Sequence, residues 1–224
     1  MLRDCGAALV LVEGPRYACF LDALLSGADV PVDIAGSVRE GFERLRSRTS
    51  SVVVVPVGGV QRMKRKELPR AADLVARLVT GPVCVIAFSD SDERGPVDEA
   101  ESVIAAVRAG LCRGGRVRQL CSAEPRPAWG SSSHAAECMG AGAEGPVARI
   151  CSVAVACSVE CWLAWLAGRV DEAPIGGCDS LRRKACKNSL AGLGDDECRR
   201  LVASALMEPY GQALRELRDR LVDP

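Results

Sequence analysis

Four consecutive valines, Val52–Val55, sit in the stretch "SVVVVPVGG" with no polar residue between them. β-branched side chains are stiff and suit extended chain. A strand with no polar alternation must be buried on both faces, which happens in parallel sheets covered by helices on each side. Two more runs read the same way: "ALVLV" at residues 8–12 and "PVCVIAF" at 82–88. Segments of helical period separate them. Strand and helix alternate through residues 8–120, which predicts an α/β fold with a mostly parallel central sheet and helices on both faces.

Local signals place the elements. Pro15 suits the first turn of a helix, where its missing N–H is not needed. Tyr17, Phe20, Leu21, Leu24 and Leu25 follow at helical spacing, and Gly27 stops the run. "DVPVDIA" reads as a short second strand. Ser37 and Glu40 form a capping box ahead of an amphipathic helix. "VQRMKRKELPRAADLVARLVTG" is basic, then helical. "GPVDEAESVIAAVRAGL" reads as a helix and "RVRQLCS" as a strand. Residues 122–146, rich in Gly, Ser, Ala and Pro, read as a flexible loop or insertion. "ARICSVAVAC" resumes as a strand, followed by a helix capped by Ser158. Residues 179–223 read as helical. The expected organisation is a core over 1–121, the insertion at 122–146, and a final strand with a helical C-terminal section over 147–224.

The formal net charge is zero, so no global field draws in nucleic acid or an anionic membrane. No apolar run approaches the roughly 20 residues that span a bilayer. The N-terminal stretch is a poor signal peptide, because Asp4 precedes a short apolar run. The expected location is the cytoplasm. Twelve cysteines stand against that expectation. No C-x-x-C pair occurs and His134 is the single histidine. That argues against a structural zinc site, whose ligands usually come in close pairs. The chain holds one Asn and three Gln, and Arg far outnumbers Lys. Two explanations stand side by side. One is a thermophile protein with a few internal disulfides; the other is a GC-rich genome and buried free thiols. Cys157 and Cys161 fall one helical turn apart, and Cys178, Cys186 and Cys198 lie further on.

Ligands of open α/β sheets bind at the carboxyl ends of the strands. Glu13 closes the first strand there, and Asp90 and Asp92 close the run "PVCVIAFSDSD". Residues i and i+2 of an extended chain point to one side. Three carboxylates facing one point repel one another, and a hard divalent cation with oxygen ligands, magnesium or manganese, relieves that repulsion.

"LVLVEGP" (Glu13, Gly14), "VVVVPVGG" (Gly58, Gly59) and "DSDERG" (Asp90, Asp92, Gly95) occur in the order and at the approximate spacing of the Toprim family. That fold is shared by topoisomerases, bacterial primases, OLD-family nucleases and small ribonucleases that mature ribosomal RNA. The resemblance covers about residues 7–120. It implies that Glu13 acts as general acid/base or metal ligand, and that Asp90 and Asp92 hold magnesium. The implied activity is metal-dependent phosphoryl transfer, most directly phosphodiester hydrolysis on nucleic acid, DNA or RNA. The chain departs from the pattern at Tyr17, where many members carry an aspartate, and no second catalytic group is evident. The alternative is therefore a non-catalytic Toprim-like module that binds nucleic acid or a nucleotide and acts with a larger repair or RNA-processing partner; a protein partner or a homodimer is the expected association. A purely structural sheet is the third possibility.

Secondary signals accompany the acids. Arg62, Lys64, Arg65 and Lys66, with Arg70, follow the Gly58-Gly59 turn on the same sheet edge, where they would hold a nucleic-acid backbone. Gly58 and Gly59 would bring backbone amides to a phosphate or simply make a tight turn. Arg182, Arg183, Lys184 and Lys187 form a second patch that reads as a solvated helix face. Trp162 and Trp165 read as core. Glu160 reads as a charge suited to a helix N-terminus, His134 as an exposed loop residue, and Glu93 and Asp98 as solvated charges.

Overall fold

The computed structural model describes residues 5–28, 30–47, 51–76, 83–91, 98–99, 101–103, 105, 116–118, 131–139, 146–174 and 178–222. These residues form one seven-stranded sheet. The strands are β1 (Ala7–Val12), β2 (Val32–Ile34), β3 (Val52–Pro56), β4 (Val83–Asp90), β5 (Arg116–Arg118), β6 (Ser131–Met139) and β7 (Pro146–Val155). Their spatial order is β2-β3-β1-β4-β7-β6-β5. The first five in that order are mutually parallel. β6 and β5 extend the sheet antiparallel.

The stretch 122–146 is therefore not the uninterrupted loop that its composition predicts. Ser131–Met139 is a nine-residue strand paired to β7 along its length. Small residues such as Ser and Ala carry little strand propensity of their own. Here the neighbouring strand supplies the backbone partners. His134 stands within this strand, opposite Ser152, rather than in a loop.

Helices cover both faces. α1 (Pro15–Ser26) begins at Pro15 and stops at Gly27, as predicted. α2 (Val38–Arg46) is capped by Ser37, whose side chain accepts from the Glu40 N–H. α3 (Val60–Arg62) continues through a π-helical turn, Met63–Glu67, into α4 (Leu68–Ala76). α5 (Val159–Leu166) follows β7, and α6 (Ser180–Ser189), α7 (Asp195–Met207) and α8 (Gln212–Val222) complete the chain.

The strand period of two divides the core. Val10, Val12, Ile86, Phe88, Val153 and Val155 face α1 and the C-terminal helices. Leu9, Leu11, Val53, Val55, Val85 and Ala87 face α2 and the π turn. Each fully buried Val, Leu or Phe contributes about 1.5–3 kcal/mol. Leaving either face bare would forfeit several of these, so both faces are covered. The C-terminal section packs on α1, where Arg199 Nε meets Asp22 Oδ2 at 2.7 Å and Cys19 is disulfide-bonded to Cys198. Trp162 is buried, as expected, and stacks edge-on against Trp165. No helix among the described residues is long and apolar enough to cross a membrane.

Candidate functional site

β1 is the point where the winding of the sheet reverses. Its outgoing connection leads toward β2 and β3, whereas the chain leaving β3 crosses to β4 on its other side. A crevice opens between the carboxyl ends of two such adjacent strands. Glu13 and Asp90 stand there. Val12 pairs with Phe88, so the two acids leave neighbouring strands almost level. The Asp90 N–H donates to Glu13 Oε1 at 3.2 Å.

The backbone around Glu13 is pinned from the other side. The N–H groups of Gly58 and Gly59 donate to the Glu13 carbonyl at 3.0 and 2.9 Å. Both glycines have positive φ, +80° and +110°, which L side chains rarely adopt. Of the two uses the sequence leaves open for this pair, the tight turn is the one observed. The amides are spent on Glu13 rather than held toward a phosphate.

Two further residues complete the acidic end. Ser158 caps α5 through the Cys161 N–H, which directs the free Val159 N–H onto Asp90 Oδ1 at 3.1 Å. Helix N-termini favour such a carboxylate. Glu160 follows at once. The Tyr17 phenol donates to Asp90 Oδ2, and its oxygen lies 3.3 Å from Glu160 Oε2. Tyr17 reaches them because it sits one helical turn beyond Glu13, on the first turn of α1. Asp90 is 8% exposed. Burial, and then the neighbouring Glu13 charge, push its carboxyl well above the usual carboxylate range; the Tyr17 hydrogen bond opposes the shift. Burial, and then the Asp90 charge, push the Tyr17 phenol upward as well, so it stays a donor at neutral pH.

A cavity of about 780 Å³ opens over these groups. Glu13, Tyr17, Asp90 and Glu160 are in its lining, and Arg16, Arg183, Lys184 and Lys187 supply positive charge. Arg16 is held by the Leu190 carbonyl at 3.2 Å, just past the end of α6. The second basic patch is thus not merely a solvated helix face: α6 carries three of its cations to the cavity. Glu160 likewise serves as more than a favourable helix-end charge.

The first basic patch goes elsewhere. Lys64, expected at a nucleic-acid backbone, is buried and paired with Glu99 at 2.6 Å. Arg62 pairs with Glu67 at 3.2 Å, and Arg65 and Lys66 are exposed. The π turn rotates this segment onto the far face of the sheet, where Met63 joins the other core. Of Gly58, Gly59, Arg62, Lys64, Arg65 and Lys66, Gly59 alone lines the cavity. Asp92, Glu93 and Gly95 lie outside the described residues.

Among the described residues, three cysteine pairs are disulfide-bonded: Cys5–Cys84, Cys19–Cys198 and Cys157–Cys178. Cys151, Cys161 and Cys186 are buried thiols. The described cysteines thus divide between bridged pairs and buried thiols.

Comparison with protein-family models, with curated proteins and with solved structures found no match to this chain.

Proposed function

We propose that this cavity holds a magnesium or manganese ion on its acidic side and acts in phosphoryl transfer, most directly phosphodiester hydrolysis on nucleic acid. One observation carries the reading: carboxylates at the reversal point of the sheet share the lining of a single cavity with arginine and lysine side chains. The first half suits a hard cation and the second suits the phosphates of a polyanion.

The donor chemistry suits such an ion. Glu13, Asp90 and Glu160 offer carboxylate oxygens only, with no soft ligand among them. Burial first, and then the Glu13 charge, raise the proton affinity of Asp90. A divalent cation there would stabilise charge developing on a phosphoryl oxygen and lower the pKa of a bound water. Glu13, half-buried at the mouth of β1, is placed to take a proton from such a water. Tyr17 and the Val159 N–H fix the Asp90 carboxylate in one orientation. Arg183, Lys184 and Lys187 would align the phosphate backbone. The Toprim resemblance of the Glu13, Gly58-Gly59 and Asp90 segments points to the same chemistry.

A second reading rests on its own observation. Both Asp90 oxygens already accept hydrogen bonds, from Val159 and from Tyr17. A carboxylate so engaged suits a binding module that holds nucleic acid without cutting it.

Calorimetric titration with magnesium and with manganese, beside Asp90→Asn and Glu13→Gln, tests the metal. Binding in the wild type that both substitutions abolish supports the site; binding indifferent to both refutes it. Incubation with single- and double-stranded DNA and RNA then separates the readings. Metal-dependent cleavage supports hydrolysis, and metal-dependent retention without cleavage supports the binding module.

A further inference from the structure

Three buried cysteines converge at the start of α5, and a fourth, Cys186, neighbours one of them. Cys157 lies in the turn after β7, and Cys161 lies in the first turn of α5. Cys178 precedes the Asp179 cap of α6, and Cys186 lies two turns into that helix. Their exposures are 0%, 1%, 5% and 1%. The sulfurs of Cys157, Cys161 and Cys178 all lie within 4.8 Å of one another. Cys186 neighbours Cys161, one member of this trio. Cys157 is also the one described non-glycine residue with positive φ, at 62°. Such a backbone persists only where its surroundings hold it.

We propose that Cys157, Cys161, Cys178 and Cys186 form a zinc site in the reduced protein. A tetrahedral zinc with thiolate ligands at about 2.3 Å sets its sulfurs about 3.8 Å apart, within the spread of this cluster. An all-sulfur tetrahedral set is a zinc environment among the common divalent ions. The sequence lacks the usual close ligand pairs because the fold supplies the closeness instead. One pair flanks the start of α5, and the other spans two turns at the start of α6.

In the oxidised chain Cys157 and Cys178 share a disulfide. A dithiol reductant opens it: two electrons and two protons enter, the S–S bond breaks, two thiols form, and the reductant leaves as its own disulfide. Zinc then displaces the four thiol protons and takes four thiolates. Bound there, it ties α6, with Arg183, Lys184 and Lys187, to the turn that presents Glu160. The site stands on its own geometry and does not depend on the phosphoryl-transfer reading.

Elemental analysis tests it on full-length protein purified under a dithiol reductant with zinc present. The expected result is about one zinc per chain, lost in Cys161→Ala and in Cys186→Ala but kept in Cys151→Ala, with folding checked by circular dichroism. If the first two variants do not fold, cobalt(II) added to reduced wild type decides. Thiolate-to-cobalt charge-transfer absorption with intense tetrahedral visible bands supports the site. Reduced, folded wild type that takes up neither metal overturns it, as does zinc retained in both folded variants.

Discussion

Tyr17 and Asp90, 73 positions apart in the chain, share a hydrogen bond in which the phenol donates to the carboxylate. It joins the first turn of α1 to the end of β4 across the reversal point of the sheet. The residue that departs from the Toprim pattern thus stands inside the acidic cluster, as a neutral donor where an aspartate would add a further negative charge.

Tyr17→Phe removes that donor and leaves Asp90 with the Val159 N–H. Because the Tyr17 bond lowers the proton affinity of Asp90, its loss raises the Asp90 pKa further. Protons then compete better with the metal, and the pH midpoint of magnesium binding moves upward. The chain loses about 1.5–3 kcal/mol, the usual range for a hydrogen bond to a charged group. Chemical denaturation and binding isotherms between pH 5 and 8 read both effects.

Asp90→Asn separates stability from binding. The folded-state pKa of Asp90 is raised, so the stability it contributes is full below its unfolded value, about 3.9. That stability is lost as pH rises through the folded pKa. At neutral pH without metal the charge is a burden, and asparagine relieves it. Thermal melts of metal-free protein should place the variant above wild type at pH 7, by about 0.5–2 kcal/mol, with the gap closing in acid. Adding magnesium should reverse the order, since ligand at a hundred times Kd adds about 2.7 kcal/mol to the wild type alone.

Lys184→Glu with Lys187→Glu inverts charge on the cavity wall. Oligonucleotide binding should weaken at least about tenfold, and the salt dependence should flatten by about two phosphates' worth of slope, roughly 0.7–0.9 per phosphate. Arg65→Glu with Lys66→Glu, on the segment that turns away from the cavity, should change neither by more than about twofold. Fluorescence anisotropy at several salt concentrations measures the contrast.

Reduction of Cys19–Cys198 releases a bridge whose ends are 179 residues apart. It ties α1, which carries Tyr17, to α7. Cys19→Ala with Cys198→Ala should cost about 2–5 kcal/mol, seen as a lower denaturation midpoint, while Arg199 and Asp22 keep the same helices in contact.

Much of the frame was legible before folding. Val52–Val55 and its companions announce a doubly covered parallel sheet because burial on both faces leaves no polar alternation. Pro15, Ser37 and Ser158 mark their helix starts because capping is a short-range hydrogen bond. Glu13 and Asp90 were legible as partners because strand ends share one edge. Ser131–Met139 was hidden, since its pairing comes from β7 and not from its own side chains.

Long-range placement was decided in three dimensions. Two basic runs of similar composition part company: Lys64 turns inward to Glu99, whereas α6 carries Lys184 and Lys187 to the acids. Their shared richness in arginine and lysine does not tell them apart. Tyr17, Glu160 and the three clustered cysteines likewise meet only when β7 lies beside β4 and α5 and α6 fold back on that edge. The sequence by itself determined which residues are strand, helix and cap, through steric preference and hydrophobic period. The tertiary structure alone decided which charges face one another, because that depends on the crossing of distant segments.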